Sequence, residues 1–351
     1  MAAVGNWVEI VRTCNLQPEK KMDLVSKWLI ITRACVFAIT VLSAAIGGLL
    51  AANDGHFHLG HFLLVTLALV VAHAANNMVN DLFDVIHGVD TADYHRANYA
   101  PHPILGGLVT RQGLIGAIAV CNVIDLAVAF YLSITCGWTV MVFAVVGLAT
   151  SVFYVAPPLK LKHRGLGEPA IFLIWGPLMI GGTYYVLAGQ VPEHVWLASV
   201  PYGLAITASL MGKHLDKADK DRAKGVRTLP VVLGDRLGRK VTQLMVWGFY
   251  LLTVGLVASG RLPCWSLLTL FTLPAASRFI ETLGDPPPAT PQEAFERAAD
   301  VIPSDLKKRV RMDAPAAAYP LWPLWYVAWG MWWGRYAGGA FVLGLAIAAL
   351  T

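Results

Sequence analysis

Amide and carboxylate side chains follow one another closely at the end of an apolar segment that begins near Leu59. The polar residues recur at intervals of three and four and are His73, Asn76 or Asn77, Asn80, Asp81, Asp84 and His87. In a helix this spacing puts them on one face and leaves the opposite face apolar. Carboxylates one turn apart converge on one point, and such hard oxygen ligands suit Mg²⁺ carrying a diphosphate. Gly88 then ends the helix and lets Asp90 fold back from the loop.

The composition is that of a membrane protein. Hydrophobic residues make up 56% of the 351 residues and charged residues 14%, whereas about 25% of an ordinary soluble chain is charged. At about 20 apolar residues per span, the sequence predicts an all-α, polytopic membrane helix bundle of about nine transmembrane helices. The predicted spans are 28–51, 59–83, 113–133, 137–156, 169–189, 194–211, 241–259, 264–283 and one within 320–350. A polar helix face inside the bilayer must face protein or water, so we expect the helices to surround a central cavity.

The basic residues indicate how the chain is oriented. Of the 27 Lys and Arg residues, 23 fall in predicted loops on one side of the membrane and one, Arg261, falls on the other side. Because cytoplasmic loops are enriched in Lys and Arg, we predict an integral, multi-pass protein whose amino terminus is cytoplasmic. Both acidic loops, and the mouth of the cavity, then lie on the cytoplasmic face. The net charge of +5 reflects this orientation and does not indicate nucleic-acid binding.

Four regions follow from this pattern. Residues 1–27 form a cytoplasmic amphipathic lead without a cleavable signal, and residues 28–283 form an eight-span bundle that carries the candidate site. Residues 284–318 are a cytoplasmic loop that could fold over the cavity mouth, and residues 319–351 hold a Trp-rich interfacial segment and the last span. The five cysteines show no C-x-x-C pairing. We therefore expect them to be small buried hydrophobic residues without a disulfide.

The first acidic stretch resembles a known motif. The pattern N-D-x-x-D-x-x-x-G-x-D at residues 80–90 resembles the first aspartate motif of the UbiA superfamily of intramembrane prenyltransferases. Its form is most similar to the branch that prenylates dihydroxynaphthoate in menaquinone synthesis. Two later segments resemble the same superfamily: 154–168, with its tyrosine, prolines, lysines and G-x-G-E, and D-R-x-x-G-V-R-T-L-P-V-V-L-G at 221–234. The resemblance extends over roughly 28–283.

The second aspartate motif departs from the D-x-x-x-D pattern of the superfamily. Asp221 matches its second aspartate, but Lys217 stands four residues earlier, and the other acids are Asp216 and Asp219. On a continuous helix Asp216 and Asp219 share one face, whereas Asp221 shares a face with Lys217 and His214. Which pair binds metal stays open from the sequence.

The source of positive charge for a phosphate also stays open. Relatives often carry an arginine just before the proline of the loop after the first motif, where this chain has His102. Either Arg96 or Arg111 supplies that charge, or diphosphate binding is weaker. Lys160 and Lys162 follow the two prolines that end the fourth span, and they either reach back to an anion or only anchor the loop in the cytoplasm.

A further carboxylate lies inside a predicted span. Asn122 and Asp125 are one turn apart within the third span, and an ionisable residue inside a membrane is a functional candidate by default. The alternative is a structural hydrogen bond to another helix. We favour a cavity-lining role for Asp125.

The resemblance implies electrophilic prenyl transfer with Mg²⁺ as the cofactor. The implied catalytic residues are Asn80, Asp81, Asp84, Asp216 and Asp221, and the implied metal ligands are Asp81, Asp84, Asp216, Asp219 and Asp221. The expected substrate-binding residues are Asn77, Asp90, Arg96, Asp125, Tyr154, Lys160, Lys162, Lys213 and Lys217. The partners are a prenyl diphosphate, an aromatic or quinone-precursor acceptor and the lipid bilayer. Departure of the diphosphate leaves an allylic cation, which a site inside the bilayer protects from water.

Two other functions are compatible with these features. A UbiA-type terpene cyclase would ionise the same diphosphate and capture the cation internally. A transporter, from another functional class, would also place polar groups at mid-membrane. Against the transporter, both acid clusters lie at one membrane face, and few Gly or Pro breaks are paired at mid-span.

Overall fold

The computed structural model describes residues 2–17, 19–91, 100–301 and 322–351. Within these ranges the chain is almost entirely helical, and its one strand-type pairing is an isolated bridge between Arg164 and Arg227. Seven of the described helices are long and apolar enough to cross a membrane. Two shorter apolar segments, Thr139–Val155 and 264–282, are consistent with the predicted nine spans. The predicted all-α membrane helix bundle is confirmed.

The helices follow the predicted spans closely. The first four are α1 (Ala2–Thr13), α2 (Leu24–Ile31), α3 (Phe37–Asn53) and α4 (Leu59–Ile86). The next are α5 (Arg111–Cys136), α6 (Thr139–Val155), α7 (Gly167–Leu173), which a π-turn at Ile174–Leu178 joins to α8 (Met179–Ala188), and α9 (Glu193–Leu215). The last are α10 (Ala218–Ala223), α11 (Leu229–Leu233), α12 (Asp235–Ala258), a 3₁₀ helix (Cys264–Thr272) with α13 (Leu273–Thr282), α14 (Pro291–Arg297) and α15 (Trp325–Leu350).

Helices α3 and α9 lie in the interior of the bundle. Helix α9 packs against α12 and α15, and α3 packs against α8 and α15. Helix α4 lies between α3 and α5, and the residues of its polar face that are buried are His73, Asn77, Asp81 and Asp84. In contrast, α5 is largely exposed at the periphery, where a lipid-facing surface is expected of a membrane bundle. The polar face of α4 therefore points into the protein.

The first predicted span is not one continuous helix. Helix α2 ends at Ile31, Arg33 adopts a left-handed backbone conformation (φ 55°), and α3 begins at Phe37. A left-handed non-glycine residue costs about 1–3 kcal/mol. The break turns the Arg33 side chain towards α4, where its guanidinium contacts the Asp81 carboxylate. The prediction of a span over 28–51 is corrected because hydropathy does not report this polar contact.

The prediction that no cysteine forms a disulfide is wrong for one pair. Cys14 and Cys35 are disulfide-bonded, with their Cα atoms 5.1 Å apart. The bond joins the end of α1 to the turn before α3. The two cysteines are 21 residues apart, and the break at Arg33 lies between them. Linear spacing alone therefore gave no sign of the pair.

Three of the tryptophans near the carboxyl end are buried between helices. Trp325, Trp329 and Trp333 are buried, and the Trp333 indole N–H donates to the Tyr250 hydroxyl (2.9 Å). Helix α15 runs through the bundle for 26 residues, so these rings pack between helices. That the Trp-rich stretch lies at the membrane interface stays a prediction.

The segment after α13 returns to the bundle. In α14 and the turn after it, Ala294 and Ala298 are fully buried, and Phe295 and Val301 line a cavity. The part of the predicted 284–318 loop up to residue 301 thus covers the cavity, and the remainder lies outside the described residues.

Candidate active site

A cavity of about 590 Å³ opens between α3, α4, α9 and α15. We call it the main cavity. Its polar wall is formed by Arg12, Arg33, His73, Asn76, Asn77, Asn80, Tyr154, Ser209, Lys213 and Arg335. Its apolar wall includes Ile39, Ile171, Ile206, Leu210, Met331 and Trp332. A small number of polar groups in a largely apolar cavity of a few hundred Å³ is typical of ligand-binding sites.

The first acid cluster lies directly behind the polar wall. Asp81 and Asp84 are buried, and their neighbours on α4, Asn77 and Asn80, line the cavity. Asp81 forms an ion pair with Arg33. Asp84 Oδ2 accepts from Lys162 Nζ (2.6 Å) and from the Asn80 amide (3.1 Å). The other oxygen of Asp84, Oδ1, is buried and has no hydrogen-bond partner in the described part of the chain.

Asp90 folds back onto α4 as the sequence predicts. Gly88 takes a left-handed conformation (φ 67°), and the Asp90 N–H donates to the Asp84 carbonyl oxygen (3.0 Å). This turn buries the Asp90 carboxylate. Burial raises the pKa of Asp90, but its hydrogen bond with His102 and the positive charges of Lys217 and Lys162 outweigh that effect, so the pKa is lowered overall.

His102 acts as a hydrogen-bond donor to Asp90. Its Nδ1 accepts from the backbone N–H groups of Ile104 and Leu105 (both 3.2 Å), and its Nε2 lies 3.2 Å from Asp90 Oδ2. A nitrogen that accepts two N–H groups carries no proton, so the proton is on Nε2. Ligand atoms of Asp81, Asp90 and His102 lie within 4.8 Å of one another. In this tautomer, however, His102 offers no lone pair to a metal, and only the two aspartates can coordinate.

The acids of the second motif separate into three environments. Asp221 is fully buried. Asp216 is partly buried, and its two oxygens accept the backbone N–H groups of Tyr326 (2.9 Å) and Val327 (3.0 Å) at the start of α15. Burial raises the pKa of Asp216 to about 8 although these bonds lower it. The Asp219 side chain is 97% exposed and pairs with Arg222.

Lys162 connects the two acid motifs. Burial lowers the pKa of Lys162, but the negative charges of Asp84, Asp221 and Asp90 outweigh burial and raise it overall. Carboxylates from the end of α4 and from α10 therefore lie around one buried ammonium group. Lys224 adds a second connection, because its Nζ donates to the Gly88 carbonyl (3.3 Å) and to Thr91 (3.2 Å). The structure brings Asp221 to the first cluster and keeps Asp216 and Asp219 out of it.

The remaining predicted substrate-binding residues are distributed unevenly. Tyr154, Asn77 and Lys213 line the main cavity, and the Asn77 amide also donates to the Thr32 carbonyl at the break before α3 (2.9 Å). Lys217 is buried beside the acids. Lys160 holds a left-handed position in the loop after α6. Asp125 lies in a smaller neighbouring cavity, and Arg96 lies outside the described residues.

A buried histidine–glutamate pair fixes the loop that carries Lys162. Glu168 and His214 are both buried, with Glu168 Oε1 2.5 Å from His214 Nδ1. The same Glu168 oxygen accepts the Leu229 N–H (3.1 Å). This contact joins the start of α7 to the end of α9 and to the segment after α10. It therefore keeps the loop that carries Lys162 close to helix α10, which carries Asp221.

Sequence reasoning missed Arg33, the donor role of His102 and the Glu168–His214 pair. For Arg33 a signal was present, because an arginine inside a predicted span is expected to have an acidic partner. For His102 and Glu168, the partners lie in other segments, and no local spacing indicates them.

Comparison with known proteins identifies the fold and the family. The model of the UbiA prenyltransferase family matches residues 40–298. The 2-carboxy-1,4-naphthoquinone phytyltransferase of Synechocystis is 27% identical over 73% of this chain and 82% of that protein. The 1,4-dihydroxy-2-naphthoate octaprenyltransferase of Bacillus subtilis is 20% identical over 70% of this chain and 78% of that protein.

Solved structures share the fold at low sequence identity. A UbiA homologue from Archaeoglobus fulgidus bound to GPP and Mg²⁺ has a TM-score of 0.54 at 14% identity and covers 90% of this chain and 99% of that chain. An apo UbiA homologue from Aeropyrum pernix has a TM-score of 0.56 at 16% identity and covers 87% of this chain and 97% of that chain. The predicted resemblance is confirmed, and this chain belongs to the UbiA prenyltransferase family.

Proposed function

We propose that this protein transfers a prenyl group from a prenyl diphosphate to an aromatic or quinone-precursor acceptor within the membrane, in a Mg²⁺-dependent reaction. The observation that carries the proposal is the meeting of Asp84 and Asp221 around Lys162, next to the main cavity. Two relatives named for naphthoquinone or naphthoate substrates support an acceptor of the naphthoate class. Family membership favours this reaction over the transporter alternative.

The buried acids fit a hard divalent cation. Asp84 Oδ1 has no hydrogen-bond partner among the described residues, and oxygens of Asp81 and Asp90 lie within 4.8 Å of each other. Carboxylate oxygens are the ligands that Mg²⁺ prefers in proteins. Asp81, Asp84 and Asp221 would hold the ion, and Asp90, oriented by His102, would complete its shell. Bound Mg²⁺ neutralises a diphosphate and stabilises its departure as a leaving group.

The basic residues can exchange partners when substrate enters. Without ligand, Arg33 pairs with Asp81 and Lys162 pairs with Asp84. Arg33 also lines the main cavity, as does Lys213. Once the carboxylates bind a cation, these side chains are free to bind phosphate oxygens, for which guanidinium groups are well suited. The chain's own cations would then hold the leaving group in place.

The main cavity suits the carbon chain and protects the reaction. Its apolar wall includes Ile39, Ile206, Met331 and Trp332. The C1–O bond to the diphosphate breaks with both electrons leaving on oxygen. An electron-rich ring carbon of the acceptor then forms a bond to C1, and the proton that this carbon loses is taken up by the departed diphosphate. Excluding water from the cavity prevents hydrolysis of the cation.

The test uses purified protein in lipid nanodiscs with radiolabelled prenyl diphosphates of several lengths. Hydroxylated naphthoates and hydroxybenzoates are offered as acceptors, with Mg²⁺ or with EDTA. We expect an acceptor-dependent product that requires the divalent cation. Asp84→Asn and Asp221→Asn should lower the rate at least about a hundredfold, a usual loss for a group that stabilises transition-state charge.

Asp219→Asn is the matched control, because Asp219 belongs to the same motif but is exposed. It should retain wild-type turnover. Diphosphate release without an acceptor, with formation of a cyclic hydrocarbon, would identify a cyclase instead. Wild-type turnover in Asp221→Asn would remove the second motif from the site. Access of a membrane-impermeant thiol reagent to an introduced Lys160→Cys from the cytoplasmic side only would support the predicted orientation.

A further inference from the structure

A second, smaller cavity of about 170 Å³ adjoins the main cavity. We call it the side cavity. It is lined by residues of α4, α5, α6 and the segment from Ile174 to α8. Its polar residues are His73, Asn76, Asn122, Asp125, Ser151 and Thr183. The sequence motifs of the family do not include it, and the proposed function so far makes no use of it.

The side cavity is polar near the main cavity and apolar away from it. Helices α4 and α5 are consecutive spans of opposite direction. Asn76 lies about ten residues before the end of α4 and Asn122 about eleven residues after the start of α5, so both lie at a similar depth. Ser151 donates to Asn76 Oδ1 (2.9 Å) at this level. At the opposite end, Val65, Leu132, Val140 and Val186 form one apolar cluster.

The two cavities meet at a fixed wall. His73, Asn76 and Trp175 line both of them. The Trp175 indole N–H donates to the Thr40 hydroxyl (3.2 Å), which is also 2.8 Å from His73 Nδ1. The rings of His73 and Trp175 pack edge to face, with centroids 5.1 Å apart. A ligand at the polar end of the side cavity would therefore lie next to whatever occupies the main cavity.

Asp125 gives the side cavity its chemical selectivity. Its Oδ1 is buried and has no hydrogen-bond partner in the described part of the chain. None of the described residues that line the side cavity is Lys or Arg, so a diphosphate would find no charge partner there, and the carboxylate of an acceptor would have to point through the junction towards the basic residues of the main cavity. A carboxyl group with free lone pairs recognises a hydrogen-bond donor. A prenyl chain has no such donor, whereas a hydroxylated aromatic ring does.

We propose that the side cavity holds the hydroxylated aromatic ring of the acceptor, with Asp125 accepting a hydrogen bond from a ring hydroxyl. This inference rests on the proposed function and assigns its second substrate to a separate chamber. The Asn76 amide N–H₂, whose oxygen is already occupied by Ser151, faces the same junction and can donate to a ring oxygen. The attacked ring carbon would then point through the junction towards C1 of the prenyl group. Asp125 selects and orients the acceptor, while the buried acids act on the diphosphate.

The first test replaces Asp125 by leucine and measures steady-state kinetics with each substrate varied in turn. We expect the acceptor KM to rise about tenfold or more, the loss typical of a hydrogen bond to a charged group. The KM for the prenyl diphosphate should stay within about twofold, because that substrate lies in the main cavity. Thr135→Val, near the opposite end of the same helix and outside the side cavity, is the control and should change neither constant.

The second test fills the side cavity without touching its polar residues. Gly147 lines the cavity, and a Cβ at this position would meet nothing within 4 Å. Gly147→Leu should therefore fold normally, occupy part of the cavity and raise the acceptor KM. Gly147→Ala adds one methyl group and should remain close to wild type. Both variants should release diphosphate at the wild-type rate in any acceptor-independent background reaction.

The outcomes separate the two proposals. If the wild type forms no product with any acceptor, the proposed function fails, and the acceptor site fails with it. If the wild type is active but Asp125→Leu and Gly147→Leu keep the wild-type acceptor KM, only the side-cavity assignment is overturned. A change in prenyl-length preference with an unchanged acceptor KM would also overturn it, since the cavity would then hold the distal end of the chain.

Discussion

Replacing Lys162 by methionine tests how the buried acids are neutralised. Lys162 Nζ lies 2.6 Å from Asp84 Oδ2, and the two side chains are 4% and 3% exposed. Methionine keeps an apolar stem but removes the charge. Removing one partner of a buried ion pair costs about 3–5 kcal/mol, because the other charge stays buried without compensation. Asp221 and Asp90 also act on Lys162, so we expect the upper part of this range.

The assay is thermal unfolding of the purified protein in detergent, followed by tryptophan fluorescence, with and without Mg²⁺. Lys162→Met should unfold at a clearly lower temperature than the wild type without Mg²⁺. Added Mg²⁺ should stabilise Lys162→Met more than the wild type, because no lysine competes for Asp84. The double variant with Asp84→Asn should recover most of the lost stability. Lys160→Met, in the same loop but outside this ion pair, should behave like the wild type.

Two results would refute this reasoning. Wild-type stability of Lys162→Met without Mg²⁺ would mean that the lysine does not neutralise the cluster. A double variant no more stable than Lys162→Met alone would mean that the loss comes from packing of the loop and not from an uncompensated Asp84.

Three further outcomes follow from single contacts. His102→Leu should weaken apparent Mg²⁺ affinity about 10–100-fold, as expected when a residue that orients a ligand is lost; an unchanged Mg²⁺ titration would show that Asp90 does not need this donor. Reduction of the Cys14–Cys35 bond, or a double serine variant, should speed proteolysis of the amino-terminal helix without abolishing transfer, and equal proteolysis rates would contradict a tethering role. Asp216→Ala should cost about 0.5–2 kcal/mol of stability, since it caps the last helix, and it should leave the Mg²⁺ dependence of the rate unchanged; a shifted dependence would return Asp216 to the metal site.

The polar face of α4 was predictable because the spacing of its residues within a single helix determines which side chains share that face. His73, Asn77, Asp81 and Asp84 are buried on one side of α4, as spacing at three and four residues requires. The spans were predictable for a similar reason, because bilayer thickness fixes the length of an apolar helix. The turn at Gly88 that brings back Asp90 also follows from local chemistry, since glycine tolerates a left-handed backbone.

The second motif was harder because the prediction assumed a continuous helix. Helix α9 ends at Leu215, and α10 begins at Ala218. The break between them sends Asp216 to backbone groups about 110 residues later in the chain, while Asp219 faces outwards. Intervals of three or four residues carry no information across such a break. The Arg33–Asp81 pair was missed for the same reason, because it joins residues 48 positions apart across a left-handed turn.

The charges of the site suggest why its ligands should bind together. Over the described residues, the cluster contains four carboxylates, Asp81, Asp84, Asp90 and Asp221, and three cations, Arg33, Lys162 and Lys217. The cluster is thus close to neutral without ligands, which suits a buried site where net charge is costly. A divalent cation alone would add charge of one sign, and a diphosphate alone would add charge of the other.

Binding of either ligand should therefore favour binding of the other. The coupling is favourable because the charge that one ligand adds is compensated by the other. Thermodynamic linkage requires each ligand to raise the affinity for the other by the same factor. Isothermal titration with Mg²⁺ should show affinity at least about fivefold higher when inorganic pyrophosphate is present, the lower limit of typical coupling. Free Mg²⁺ must be held constant in both titrations, because pyrophosphate itself chelates the ion. Equal affinities would mean that Arg33 and Lys162 do not transfer from the carboxylates to the phosphate oxygens, and the partner exchange proposed for the two ion pairs would have to be abandoned.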